Sequence, residues 1–418
     1  MSVADRSHIA DPSLASAGHL AIEWAREHSP VVDGFVRETL SDGSLTGKRV
    51  AVVVHLEAKT ALLATVLADA GATVVAAGSN PYSTKDEVAA ALVERDIEVH
   101  STRNSGYEAW EKDLLAVADT GPDYIIDDGA ELTLRMARDR PELFAKVRGV
   151  TEQTTTGVAR IRALHESGRL PFPALAANDA QCKHLFDNRY GTGQSTIQAM
   201  LNLTNMSMPG KAVAIIGYGW VGRGLATYVR AMGGRPLIIE VDPVKALEAF
   251  MDGHEVGPVS QTLPLADFVV TATGGMRAVG SRHFPLLKPG AILANAGHHD
   301  LEIDVESLDQ ESSDSRIVRE GIARYSWNDE KDLFVLANGA LVNIAGGLGH
   351  PIEIMDLSFA VQGLGCHELA ANDYPVGVHI IPDHLDKAIA AAKLAAHGVE
   401  LDALDPLQLD SIDDMLPE

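Results

Sequence analysis

The sequence predicts an α/β protein of two doubly wound parallel-sheet domains, and three observations carry that expectation. Short β-branched runs alternate with helix-length intervals along most of the chain, the rhythm of parallel strands joined by covering helices. The runs fall into two separate series, and 418 residues exceed what one hydrophobic core usually supports. Composition permits large cores, with 46% hydrophobic and 22% charged residues, as in ordinary globular proteins.

The first series opens with RVAVVVH, Arg49 to His55, then ATVVAAG, Ala72 to Gly78, and YIIDDG, Tyr124 to Gly129. In open α/β sheets ligands collect beyond the carboxyl ends of strands. His55, Ser79 with Asn80, and Asp127 with Asp128 are therefore candidate site positions, although helix caps or surface loops would read the same. The second series runs through GKAVAIIGYGWVGRG, RPLIIEVDP, ADFVVTATG and GAILANAG, each closed by glycine or an acid. It describes one complete doubly wound domain. The segment GGLGHPIEIMDLSFAVQGLG comes too late for that sheet, so the chain is expected to return and complete the first domain. The expected division is 1–190 for the first part of a substrate domain, 191–345 for a nucleotide domain, and 346–385 for the return segment. A C-terminal helix, patterned from His384 to His397, and a loosely held acidic tail fill 386–418.

Asp and Glu number 58 against 34 Lys and Arg, a net charge of −24, which argues against nucleic acid as a partner. No stretch reaches the roughly 18 uninterrupted apolar residues of a spanning helix, and the N-terminus has no basic segment followed by an apolar run. A cytoplasmic protein with no membrane contact is expected. Cys182 and Cys366 alone give no disulfide framework and no cysteine-rich zinc site, so no metal is expected.

Gly217-Tyr218-Gly219-Trp220-Val221-Gly222 fits a dinucleotide-binding pattern, weak on its own. Context strengthens it: the apolar run Ala212 to Ile216 precedes it, the helix-compatible run Leu225 to Met232 follows, and a second strand, Pro236 to Ile239, ends at Glu240. These are the features of a Rossmann domain, whose glycines let a pyrophosphate approach unpaired N–H groups at a helix N-terminus. Glu240 can accept from ribose hydroxyls and would repel a 2′-phosphate, so NAD is expected rather than NADP.

Lys183, Asp187 and Asn188 stand in CKHLFDNRYG, where a helix would set Lys183 and Asp187 four apart on one face. The pair could be a proton acceptor for an alcohol losing hydride or a solvated ion pair. His298 follows the fourth strand of the nucleotide domain and His350 lies in GLGHP, two histidines placed to surround one cofactor. Thr154, Thr155 and Thr156 read equally as a turn or as hydroxyls on a polar ligand.

At these residues the chain resembles the S-adenosylhomocysteine hydrolase family, from about residue 18 to about 370. The resemblance rests on SNPYSTKDEVAAAL, IIDDGAELT, RGVTEQTTTGV, FDNRYG, GYGWVGRG, NAGHHDLEID and LVNIAGGLGHP. It implies two α/β domains closing over a nucleoside, usually in a homotetramer with tightly held NAD; a tetramer or dimer is the expectation for this chain. It implies transient oxidation of the ribose 3′-hydroxyl, loss of the C4′ proton, elimination of the C5′ group, addition of water and return of the hydride. By resemblance Lys183 and Asp187 act at the 3′-hydroxyl with Asn188 beside them, and His55 and Asp128 are the acid and base at C4′ and C5′. His298 and His350 line the cleft, and Leu341, Met355 and Phe359 join the substrate contacts. Thr154, Thr155, Thr156, Asn188, Trp220, Val221, Glu240, Thr273, Asn295 and Asn343 fall among the cofactor contacts.

Departures from the family pattern concentrate on the substrate. Glu57 and Lys59 stand where the family has Thr and a Glu that reads the adenine amino group; a lysine cannot accept from that amine, so base recognition must change or Glu57 must take over the task. Gln153 replaces a ribose-binding glutamate, Thr192 a cysteine, and His299 an aromatic residue. The C-terminus lacks the family's Lys- and Tyr-containing tail. The expected activity is hydrolysis of S-adenosylhomocysteine or a related nucleoside. A dehydratase forming a 4′,5′-exocyclic alkene, as in nucleoside-antibiotic biosynthesis, and a non-catalytic NAD-binding regulator are the alternatives; a plain dehydrogenase would release NADH.

Overall fold

Apolar residues alternate between the two faces of each central strand, and this period of two builds a separate core on either side of each sheet. The computed structural model describes residues 2–297, 300–328 and 331–405. His298, His299 and the tail from residue 406 onward therefore lie outside the described residues.

Strands β1 (Arg49–Val53), β2 (Thr73–Ala77), β3 (Glu98–Val99), β4 (Tyr124–Asp127), β5 (Gly149–Glu152) and β6 (Pro173–Ala176) form the first series. The second comprises β7 (Ala212–Ile216), β8 (Arg235–Ile239), β9 (Glu255–Val256), β10 (Phe268–Thr271), β11 (Ile292–Asn295), β12 (Ser312–Arg319), β13 (Ile322–Trp327) and β14 (Lys331–Leu336), and β15 (Gly377–Ile380) closes the set. The first sheet is ordered β15-β6-β5-β4-β1-β2-β3 and all its pairings are parallel. In β1, Val50 and Val52 face one core while Ala51 and Val53 face the other.

The second sheet is ordered β12-β13-β14-β11-β10-β7-β8-β9. From β9 to β14, leaving out the hairpin, this is the doubly wound dinucleotide-binding order. The antiparallel strands β12 and β13 were not expected from the sequence. β12 is charged and its Ile317 and Val318 are exposed, so it lacks the usual apolar signature, whereas β13 buries Ile322, Ala323, Tyr325 and Trp327 and its alternation went unread.

The return segment is the helix Ile352–Ala371, in which every residue from Met355 to Cys366 is buried. Buried all round, it forms a central rod of the first core. Its Asp356 accepts from the backbone N–H of Val31 and Val32 at 3.2 and 2.8 Å and pairs with Lys393 at 2.9 Å. Residues more than 300 positions apart are thereby joined. β15 then pairs with β6, and the helix Asp383–Ala396 packs against the return helix. Among the described residues no helix is long and apolar enough to cross a membrane.

Candidate active site

Each sheet reverses its strand order once, between β1 and β4 and between β7 and β10, and at such points the loops diverge and leave a crevice. The two crevices face one another. A cavity of about 740 Å³ between them is lined by His55, Asp128, Gln153, Thr154 to Thr156, Lys183, Asp187 and Asn188 from the first side. From the second side come Gly219, Trp220, Val221 and Thr273, with Leu341, His350, Met355 and Phe359 from the returning chain.

The segment carrying Lys183 and Asp187 is not a plain α-helix as expected. A three-residue turn, Gln181–Lys183, runs into the π-helix His184–Gly191, a widened geometry frequent at functional sites. Lys183 Nζ still lies 3.3 Å from Asp187 Oδ1 and donates to Asn188 Oδ1 at 2.7 Å. Both side chains of the pair are buried, so the surface ion-pair reading does not hold. Asp187 also meets His350 Nδ1 at 3.1 Å and accepts from Ser358 Oγ at 2.6 Å. Burial alone would raise its pKa, but the charges of Lys183 and His350, with the hydrogen bonds from His350 and Ser358, hold this carboxyl far below its usual range. Asn188 extends the network to Asn178 at 3.2 Å, and Thr192 Oγ1 meets His350 Nε2 at 3.1 Å.

Across the cavity, His55 Nε2 lies 3.4 Å from Asp128 Oδ2, which accepts from Ser79 Oγ at 2.9 Å. Asp128 Oδ1 and Gln153 Oε1 are buried without a hydrogen-bond partner, two acceptors at the cavity wall. Beneath Asp128, burial pushes Asp127 up to about 6. Burial and then the charges of Asp127 and Asp128 raise Glu152 well above the carboxylate range. Glu152 accepts from the N–H groups of Gly129, Ala130 and Thr154 at 2.7 to 3.0 Å, tying the loops after β4 and β5 together. Thr154 caps the helix Thr155–Glu166 through Gly157 N–H, so turn and lining roles coincide.

Glu57 caps the helix Ala58–Asp69 and accepts from Lys59 Nζ at 2.9 Å, and both line the cavity. A smaller chamber of about 200 Å³ shares the walls His55, Leu341 and Ile344 and adds Glu131, Arg135 and Asp300. There Tyr107 Oη donates to Asp300 Oδ2 at 2.5 Å, a bridge between the two halves.

Gly217 has φ of +100°, and a Cβ on Gly222 would stand 2.0 Å from the Gly217 carbonyl oxygen, so helix and turn touch only because that side chain is missing. A Cβ on Gly219 would meet nothing within 4 Å, which leaves open space over the helix Trp220–Ala231. That helix has no side-chain cap, so its first N–H groups are left for a ligand. The residues fit a dinucleotide pyrophosphate. Glu240 accepts from the N–H groups of Tyr218, Val241 and Asp242 at 2.6 to 2.9 Å; burial would raise it, but these bonds hold it low and charged.

Asn295 and Asn343 do not line the cavity. Asn295 binds Gly297, Thr271 and Gly339, Asn343 donates to Ser195 at 2.9 Å, and both are wholly buried. Sequence reasoning missed Ser358 and Asn178, and also Arg223 and Lys245, which line the cavity's nucleotide end. The register of Ser358, four residues after Ile354 on an apolar helix, was the only signal available for it.

Two switch-point crevices sharing one cavity, one of them shaped for NAD, define an NAD-dependent enzyme of two α/β domains. Residues 6–141 match the family described as S-adenosyl-L-homocysteine hydrolase, and residues 188–349 match its NAD binding domain. An S-inosyl-L-homocysteine hydrolase of Methanopyrus kandleri is 45% identical, over 96% of this chain and 95% of that protein. Adenosylhomocysteinases of Thermotoga maritima and Aeropyrum pernix are 43% and 44% identical, over 94% and 95% of this chain and 98% and 96% of theirs. The chain belongs to the S-adenosyl-L-homocysteine hydrolase family, and its cofactor is NAD.

Proposed function

We propose that the protein hydrolyses the thioether of an S-(5′-nucleosyl)-L-homocysteine to the nucleoside and homocysteine. The observation that carries this reading is that the Lys183–Asp187–Asn188–His350 network and the His55–Asp128 pair face one cavity beside the dinucleotide turn. Bound NAD supplies the hydride acceptor and later the donor. Lys183 handles the proton of the ribose 3′-oxygen, while the anionic Asp187 and Asn188 fix its Nζ. Once a 3′-carbonyl stands beside it, the C4′ proton becomes acidic enough for a protein carboxylate or imidazole to remove. His55 and Asp128 are the groups in place for that proton and for the thiolate leaving C5′. Water then adds at C5′, and the ketone is reduced again, so the net change is thioether plus water to alcohol plus thiol.

The smaller chamber supports the choice of leaving group, because Glu131, Arg135 and Asp300 offer both signs of charge to a zwitterionic amino-acid tail. The relatives named above are hydrolases, and nothing in the site favours elimination of water instead. The same reading makes the protein a cytoplasmic homo-oligomer. Exposed Val244, Leu247, Phe250 and Met251 on the helix Pro243–Met251 give a second copy an apolar face, and both thiols are free and buried.

The test is incubation of NAD-loaded protein with S-adenosyl- and S-inosyl-L-homocysteine, following product mass and free thiol. Release of nucleoside and homocysteine supports the proposal. Loss of water from a free nucleoside with both thioethers intact, or NADH accumulating in solution, would refute it.

A further inference from the structure

We infer that Lys59 makes the nucleoside pocket select a purine bearing an oxygen rather than an amino group at position 6. This rests on the function proposed above and adds the base to it.

The cavity that holds Lys183 and Asp187 also has apolar walls at Leu341, Met355 and Phe359, suited to the faces of a planar ring. Its polar edge is the start of the helix Ala58–Asp69. Lys59 is 7% exposed, so whatever its ammonium meets there is met largely without water. Of its three N–H groups, one goes to Glu57 Oε2 at 2.9 Å and one to the Leu348 carbonyl at 3.3 Å. The third is left for a ligand, and a lysine has no acceptor to offer.

A 6-amino purine presents a donor at position 6. Set against Lys59, two sets of buried N–H groups would face each other, each missing a partner and the ammonium contributing repulsion. A 6-oxo purine presents a carbonyl oxygen there, which accepts the third N–H. In the lactam form its neighbour N1 carries a hydrogen, and the Glu57 carboxylate can take it. The positions of the two charges favour this pairing over its mirror image. Glu57 is the helix cap, and its Oε2 already accepts both the backbone N–H and the ammonium of Lys59. Lys59 instead reaches across to the 348–349 loop, where a Cβ on Gly349 would stand 4.0 Å from its Nζ.

Initial rates on S-inosyl- and S-adenosyl-L-homocysteine with the NAD-loaded enzyme test the inference. A site built to hydrogen-bond one group discriminates strongly against the analogue lacking it. The wild type is expected to favour the inosyl thioether by about tenfold or more in kcat/KM, and Lys59→Glu to invert the ratio. A wild-type preference for the adenosyl thioether, or a ratio unmoved in a folded Lys59→Glu, overturns it. If neither thioether is cleaved, the proposed hydrolysis fails. The base is then read from calorimetric binding of inosine and adenosine to the wild type: tighter inosine upholds the role of Lys59, and equal or weaker inosine overturns it.

Discussion

Gly222→Ala should separate the dinucleotide turn from its helix by a calculable amount. The added methyl would stand 2.0 Å from the Gly217 carbonyl oxygen, where a carbon and an oxygen need about 3.2 Å, so the helix must retreat by about 1.2 Å. A retreat of that size stretches N–H contacts of about 2.9 Å from the first helical turn to roughly 4 Å, beyond hydrogen bonding. Each bond to a charged phosphate contributes about 1.5–3 kcal/mol, and losing two costs about 3–6 kcal/mol, or roughly 10²- to 10⁴-fold in NAD affinity. Calorimetric titration of the apoprotein with NAD measures this, with circular dichroism as the check on folding. A folded variant whose Kd stays within about threefold of wild type would refute the close-contact argument, since threefold is under 1 kcal/mol.

Lys183→Ala should keep NAD bound yet abolish substrate-dependent reduction of the bound cofactor, followed by absorbance; normal reduction would remove Lys183 from the 3′-oxygen. Glu240→Ala frees the backbone N–H of Tyr218 in the turn after β7 and those of Val241 and Asp242 after β8, and should weaken NAD roughly ten- to a hundredfold at unchanged helix content. Unchanged affinity would mean that the turn holds without it. The buried Asp127 and Glu152 carboxyls have raised pKa values, so the folded protein retains protons that the unfolded chain releases near pH 4. Stability should therefore fall as pH rises from about 4 through about 6 and above. Denaturant unfolding of Glu152→Gln at pH 5 and pH 8 should show a shallower fall than wild type, and an equally steep one would contradict the shared burial of the two acids.

The strand framework and the dinucleotide turn were legible because each rests on local chemistry: fully apolar runs for parallel strands, glycines for a close approach, an acid after the second strand. The three runs read in the first series end within two residues of β1, β2 and β4, and β7 and β8 were placed with similar accuracy, while β3, β5 and β6 were not read. What was not legible depends on partners distant in sequence. Ser358 is an unremarked serine in an apolar helix until Asp187 is beside it, 171 positions away. Asn295 carried a cofactor assignment by resemblance, yet its amide links β11 to Gly339 inside the core. The Lys183–Asp187 spacing was readable, but the π-helix that widens it and the burial that changes its chemistry were not.

The central rod of the first core has a consequence for biosynthesis. β6 ends at Ala176 and the rod ends at Ala371, about two hundred residues later, which a ribosome adding roughly 5–20 residues per second covers on the order of 10–40 s. During that interval the first six strands exist without the helix that fills their interior. The nucleotide domain lies wholly within the intervening stretch and can close on itself first. The cores of the nucleotide domain hold no residue of the rod, so a nascent chain stopped near residue 350 would carry a nucleotide domain with its core complete, tethered to a first sheet with one apolar face still open.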